Sequence, residues 1–162
     1  MANQELFFND EEFIVSKTDL SGKITYGNDL FIRMSGYTEK ELLGKPHNIL
    51  RHPEMPKLIF KLLWERIQGG KEIFAYVKNR TKENDYYWVF AHVTPSLDSS
   101  GTIIGYHSVR RKPTLEALHT IKSLYTQLLD AERQGGAVHS QALLDKTLSA
   151  TGKNYDQFII AL

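Results

Sequence analysis

The 162-residue chain contains no cysteine. That absence excludes disulfides, iron–sulfur clusters, thiolate zinc sites and covalent c-type haem, and it fits a reducing compartment. An excess of either charge is also missing: Lys+Arg number 20 against 19 Asp+Glu, for a net charge of +1. Such a balance offers no general attraction to nucleic acid or to an anionic membrane. No run of about 18 apolar residues occurs, so the chain is not expected to span a membrane. The opening MANQELFFNDEEF is acidic and has no apolar core behind a positive flank, unlike a secretory leader. Neither a glycine-rich phosphate loop after a strand nor an HExxH motif is present, and there is no cysteine nucleophile, so the sequence does not read as an enzyme. Internal repeats and low-complexity tracts are absent.

Proline is scarce and unevenly spread. Three of the five prolines fall in GKPHNILRHPEMP, residues 44–56, with two histidines, an arginine and a glutamate. Proline removes a backbone donor and fixes φ, so this stretch suits neither helix nor strand. A metal site, a catalytic site, a cofactor grip and a plain turn would each place ionisable groups on irregular backbone. His47 and His52 lie five apart here, which is no useful metal-ligand spacing.

The flanking sequence is more regular. FIVSKTDLSGKITYGND reads as two short strands about the turn Asp19–Gly22. Asn28 or Asp29 caps a short helix ended by Gly36, and Thr38 with Glu41 forms a capping box for a second. After Pro56, a longer helix carries the stripe Ile59, Phe60, Leu63, Trp64 and Ile67 and closes at Gly69-Gly70. Three longer strands follow: EIFAYVKNRT, DYYWVFAHVTPS and TIIGYHSVRR. In the middle one, Tyr86, Trp88, Phe90 and His92 alternate with Tyr87, Val89, Ala91 and Val93, one set to each face. Pro113 ends the strands. Leu115, Leu118, Ile121, Leu124, Tyr125 and Leu128 then form a helical stripe, broken at Gly135-Gly136. SQALLDKTLSATG reads as a further helix and NYDQFIIAL as a last short helix or strand. The expected fold is α+β: an antiparallel sheet of about five strands with short helices on one face, plus a C-terminal helical extension. The division is an N-terminal segment 1–12, a sensor domain 13–113 and an extension 114–162. The extension's stripe must bury somewhere: against a second copy or a partner, the favoured use, or back over the core's open sheet face.

TDLSGKITYGNDLFIRMSGYTEKELLGKPHNILRHPEMP, together with VKNR, YWV and GYHSVRRKP, resembles the flavin-binding PAS domains of bacterial aerotaxis receptors. The resemblance covers roughly residues 13–113. It implies FAD held noncovalently, with the redox state of the flavin passed to a membrane-bound methyl-accepting-type signalling protein. Carried over position by position, it implies that Asn28, Arg51, His52, Glu54, Phe60, Trp64 and Asn79 serve the cofactor. Glu54 stands where the family usually has aspartate. Where the family has Trp-Ser-Gly before VKNR, this chain has Ile73-Phe74-Ala75, which leaves Phe74 or Tyr76 to supply the missing ring. The chain length resembles the stand-alone PAS half of bipartite energy-taxis systems. It implies a cytoplasmic protein brought to the inner face of the membrane by its partner, with a homodimer through the C-terminal helices as one use of the stripe. Two rival readings remain: a haem b gas sensor using His47, His52, His92 or His107, and a cofactor-free interaction module.

Overall fold

The computed structural model describes residues 3–162. Five strands form one antiparallel sheet: β1 (Ile14–Thr18), β2 (Ile24–Gly27), β3 (Ile73–Arg80), β4 (Tyr86–Leu97) and β5 (Ile103–Arg111). Their order is β2-β1-β5-β4-β3, which puts β2 and β3 at the two edges. Between β2 and β3 lie α1 (Asp29–Ser35), α2 (Glu39–Leu42), a 3-10 turn (His47–Leu50) and α3 (Lys57–Gln68). The α+β arrangement expected from the sequence is therefore present.

Local chemistry explains the short elements. Asp19 Oδ1 accepts from the backbone N–H groups of Ser21 and Lys23, which tightens the β1–β2 turn. Asn28 caps α1 by accepting from the Phe31 N–H, and Gly36 ends it at φ 76°. That conformation is strained for a residue with a Cβ. Both bonds of the Thr38–Glu41 capping box are made. The inner sheet face carries Ile14, Ile73, Ala75, Val89 and Ala91, all nearly inaccessible, against Phe31, Leu50 and Ile59 from the helical side.

The proline-rich stretch is a strap. At one end it pairs with β2: the Ile24 N–H donates to the Lys45 carbonyl at 2.8 Å and the His47 N–H to the Gly22 carbonyl at 2.9 Å. At the other end it meets β3, where Arg51 bridges Asn79 and the His52 N–H donates to the Lys78 carbonyl at 3.3 Å. Irregular backbone is needed because the segment must cross the concave face from one sheet edge to the other.

C-terminal to β5 come α4 (Leu115–Thr151) and α5 (Tyr155–Ile160). The break expected at Gly135-Gly136 is real: Gly136 has φ 69° and ψ −154°, so α4 is two limbs. The last segment is a helix rather than a strand, with a capping box of Asn154 and Gln157. Most of the stripe folds back over the sheet and is buried within the chain, while Leu115 at its start stays exposed. Ala117, Leu118, Ile121, Leu124, Tyr125 and Leu128 are all inaccessible, and Tyr125 packs 6.1 Å from Trp88 on the outer sheet face. An apolar outer face next to an apolar helix in the same chain is covered at no association cost.

Candidate functional site

A cavity of about 170 Å³ lies between the inner sheet face, the strap and α3. Its apolar walls include Phe60, Leu63, Trp64 and Ile67 from α3 and Val77, Ala91, Val93 and Tyr106 from the sheet. The Trp64 and Tyr106 rings meet edge to face at 5.5 Å. Gly22 borders the same space, and a Cβ there would come within 3.1 Å of the Trp64 ring.

Polar groups enter at defined points. Asn79 is buried on β3 beside the hydroxyl of Tyr87. Tyr87 is itself fully buried, and burial pushes its phenol up to about 12, although the Arg110 charge and the Asn79 amide pull the other way. Arg51 lays its guanidinium 3.7 Å over the Phe60 ring, and its Nε is buried with no acceptor. Burial lowers the Arg51 pKa. On β5, Arg110 is buried, donates from Nη2 to Ser16 Oγ and to His47 Nε2 at 2.9 Å, and keeps Nη1 without an acceptor. Burial brings its pKa down to about 10, so it is still a cation at neutral pH. His47 is neutral there: burial, then the charges of Arg110 and Arg51, push it down to about 3. Among the described residues, neither arginine forms an ion pair with a carboxylate.

Of the residues singled out from the sequence, Arg51, Phe60, Trp64 and Asn79 border this cavity, and Asn28, His52 and Glu54 do not. Asn28 is committed to backbone. Its Oδ1 accepts from Val15 N–H (3.1 Å) and Phe31 N–H (2.9 Å), and its Nδ2 donates to the Phe13 carbonyl (2.8 Å). His52 Nδ1 accepts from the Glu54 N–H, and Glu54 pairs with Lys78 at 3.0 Å on the outer side of the strap. The hydrogen bond from Lys78 holds the Glu54 carboxyl below its usual range, while burial and then the Lys78 charge lower His52. These two shape the strap from behind. The ring expected from Phe74 or Tyr76 is not at the cavity. Phe74 stacks on His92 at 4.2 Å and Tyr76 lies 4.6 Å from Phe90, on the opposite sheet face. Strand alternation forces this, since Val77 and Asn79 face inward.

Sequence reasoning missed Ser16, Arg110 and Tyr106 as cavity residues. The signal was present: on β5, Tyr106, Ser108 and Arg110 share one face, and an arginine at an inward strand position is unusual.

No cluster of metal-ligating side chains occurs among the described residues, and no helix is long and apolar enough to cross a membrane. A PAS fold family model matches residues 24–110. The chain is 40% identical over 137 residues to the aerotaxis receptor of Escherichia coli (strain K12), covering 85% of this chain and 27% of that protein. It is 31% identical over 87 residues to the biofilm dispersion protein BdlA of Pseudomonas aeruginosa, covering 53% of this chain and 21% of the relative. The chain thus spans only about a quarter of the length of these relatives. Among solved structures, a light-oxygen-voltage domain studied with a flavin analogue matches with TM-score 0.58 at 23% identity, covering 68% of this chain and 83% of that one. The light-state Aureochrome1 LOV structure gives TM-score 0.56 at 23% identity, over 77% and 92% of the two chains. The family model covers more than half of the chain, and the chain belongs to the PAS fold family.

Proposed function

We propose that the chain is a flavin-binding PAS sensor for energy taxis, holding FAD in the cavity and reporting its redox state to a membrane-bound chemotaxis partner from the cytoplasmic side. The observation that carries this reading is the cavity's donor set. An apolar slot walled by Trp64 and Tyr106 ends in a buried amide, Asn79, and in two guanidinium groups that each keep a buried, unused donor, the half-buried Arg51 and the buried Arg110. A flavin ring matches it: a flat apolar body with acceptor atoms along one edge. The 40% identity to an aerotaxis receptor supports the same assignment.

Bound there, a flavin would supply reversible electron transfer. The chain's own residues bind and orient it. Asn79 offers a donor and an acceptor together, Arg51 a planar fork suited to phosphate or carbonyl oxygen, and Trp64 with Tyr106 excludes water. A cavity of about 150 Å³ admits a benzene-sized guest. A three-ring guest is larger, so the wall must give to admit it, and α3 supplies four of the lining residues. α3 is tied to the C-terminal helices: the Leu58 N–H donates to Glu132 of α4 at 3.2 Å, and Arg66 clasps both Asp156 oxygens of α5 at 2.9 and 3.0 Å. Ligand state at the cavity therefore has a mechanical route to the outer helices. The Ser16 hydroxyl lies 3.1 Å from His47 Nε2, but the Arg110 guanidinium donates to that same nitrogen at 2.9 Å and occupies the lone pair a general base would use.

The haem reading keeps one histidine at the cavity whose ring makes no hydrogen bond among the described residues, His107, while the other three are less well placed. His47 already holds the Arg110 cation, His52 Nδ1 accepts from backbone, and His92 stacks on Phe74 across the sheet. An absorption spectrum of freshly purified protein tests the proposal. Flavin bands near about 450 nm are expected, whereas a Soret band or a featureless visible spectrum would overturn it. Asn79→Ala is expected to weaken FAD retention by roughly 30- to 1000-fold, the loss of about 2–4 kcal/mol from one buried amide serving two ligand atoms. Wild-type flavin content in the folded variant would remove Asn79 from the site.

A further inference from the structure

Arg110 is a buried cation without a counter-ion. Its exposure is 3%, its Nη1 has no acceptor, and its neighbours are uncharged: Ser16, the neutral His47 and the Phe31 ring, 5.4 Å away. The Tyr87 phenol nearby stays protonated at neutral pH. Arg51 adds a second positive charge at the same cavity. A structural arginine in a core is usually neutralised by a carboxylate, because burying an unpaired charge is costly. Here neutral acceptors hold the guanidinium in place and leave its charge unspent, on the inward face of β5 and at the cavity wall.

We propose that Arg110 is the counter-charge for the reduced ring: Nη1 takes an acceptor atom of the ligand, and the guanidinium favours the ligand's anionic, reduced form over its neutral, oxidised one. The inference rests on the flavin reading above. Two electrons and one proton added to a neutral oxidised flavin ring leave a ring of charge −1, so a fixed positive charge beside it raises the midpoint potential. His47 and Ser16 are positioning residues in this scheme, because they orient Arg110 without cancelling it. A carboxylate in either place would.

The test uses the full chain loaded with FAD and titrated with dithionite against a redox dye. Arg110→Gln keeps amide donors toward Ser16 and His47 but has no charge. It is expected to lose about tenfold in preference for the reduced ring, which for a two-electron couple lowers the midpoint by about 30 mV. Its FAD-free form should melt no lower than wild type, because an uncompensated charge has been removed. Ser16→Asp gives Arg110 a carboxylate and should lower the midpoint in the same direction, so the answer does not depend on one variant folding. Failure of a folded Arg110→Gln protein to hold FAD at all also supports the contact. Variants that bind FAD with an unchanged midpoint overturn the proposal and leave Arg110 as a prop for the strap. Wild-type protein that takes up no FAD overturns the flavin reading, and this inference with it.

Discussion

His47 shows how one residue's surroundings decide its chemistry. Half-buried between Phe31, Ser16 and Arg110, its ring withdrawn from water, it is pushed down to about 3. In the unfolded chain it titrates at its ordinary value, 6.5. Below that pH the unfolded state binds the extra proton and the native state does not, so stability falls as pH drops from about 6.5 toward 3. Between pH 7 and pH 5 the loss from His47 alone should be about 2 kcal/mol. His47→Gln, which still offers Arg110 an oxygen, should lose that much less over the same interval. Urea midpoints of both proteins at the two pH values measure the difference, and parallel pH profiles would contradict the assignment. At Arg51 the relevant property is shape. Its guanidinium lies flat on Phe60, a contact that a lysine ammonium cannot reproduce. If it grips pyrophosphate, Arg51→Lys should weaken FAD binding clearly more than riboflavin binding. Equal losses for the two ligands would place Arg51 elsewhere.

Among the elements, β3 bears the most connections. It is an edge strand, and an open edge invites pairing with another chain. Three alternate carbonyls on that edge are each given a donor: Phe74 by the Tyr155 hydroxyl at 2.8 Å, Tyr76 by the Tyr125 hydroxyl at 2.6 Å, and Lys78 by the His52 N–H. Burial raises both phenol pKa values, so the hydroxyls stay protonated as donors. Tyr125→Phe would leave the Tyr76 carbonyl buried without a partner and should cost about 1–3 kcal/mol in urea unfolding. A variant as stable as wild type would mean that water replaces the hydroxyl. The same strand lines the cavity through Val77 and Asn79, so β3 and α3 both join cavity to extension. β5 runs directly into α4 and is the covalent route from cavity to extension. The structure adds these two lateral routes.

At the scale of the whole molecule, the extension is a cover rather than an appendage. Its first limb lies over Trp88 on the outer sheet face, and α5 docks through Arg66–Asp156 and Tyr155. A chain ending at Pro113 would expose that apolar face and leave the Phe74 and Tyr76 carbonyls open on an edge. Such a chain should self-associate more than the intact protein at equal concentration, the reverse of what a helix-mediated dimer would do. Sedimentation velocity of the two proteins distinguishes them. A truncated chain no more associated than the intact one would show that the helices do not guard the face.

Period, caps and turns were determined by the sequence itself, because each depends on neighbours within a few residues. Thr38 with Glu41, Gly36 after α1, the Asp19 turn and the break at Gly135-Gly136 all stand where local chemistry puts them. Local patterning also marked the α3 stripe, whose Phe60 and Trp64 reach the cavity. What only the tertiary structure decided is which partners meet across the fold. Asn28 looks the same in sequence whether it caps a helix or holds a ligand, and here the backbone of Phe13, Val15 and Phe31 claims every one of its described side-chain bonds. Arg110 looks like one more charge at a strand end. It becomes a buried, unneutralised cation only when β5 is set between β1 and β4, which brings it to Ser16 and His47, 94 and 63 residues away in the chain. The stripe of α4 is equally suited to a second copy or to its own sheet. The sheet prevails because it is covalently attached, and docking it costs no translational freedom.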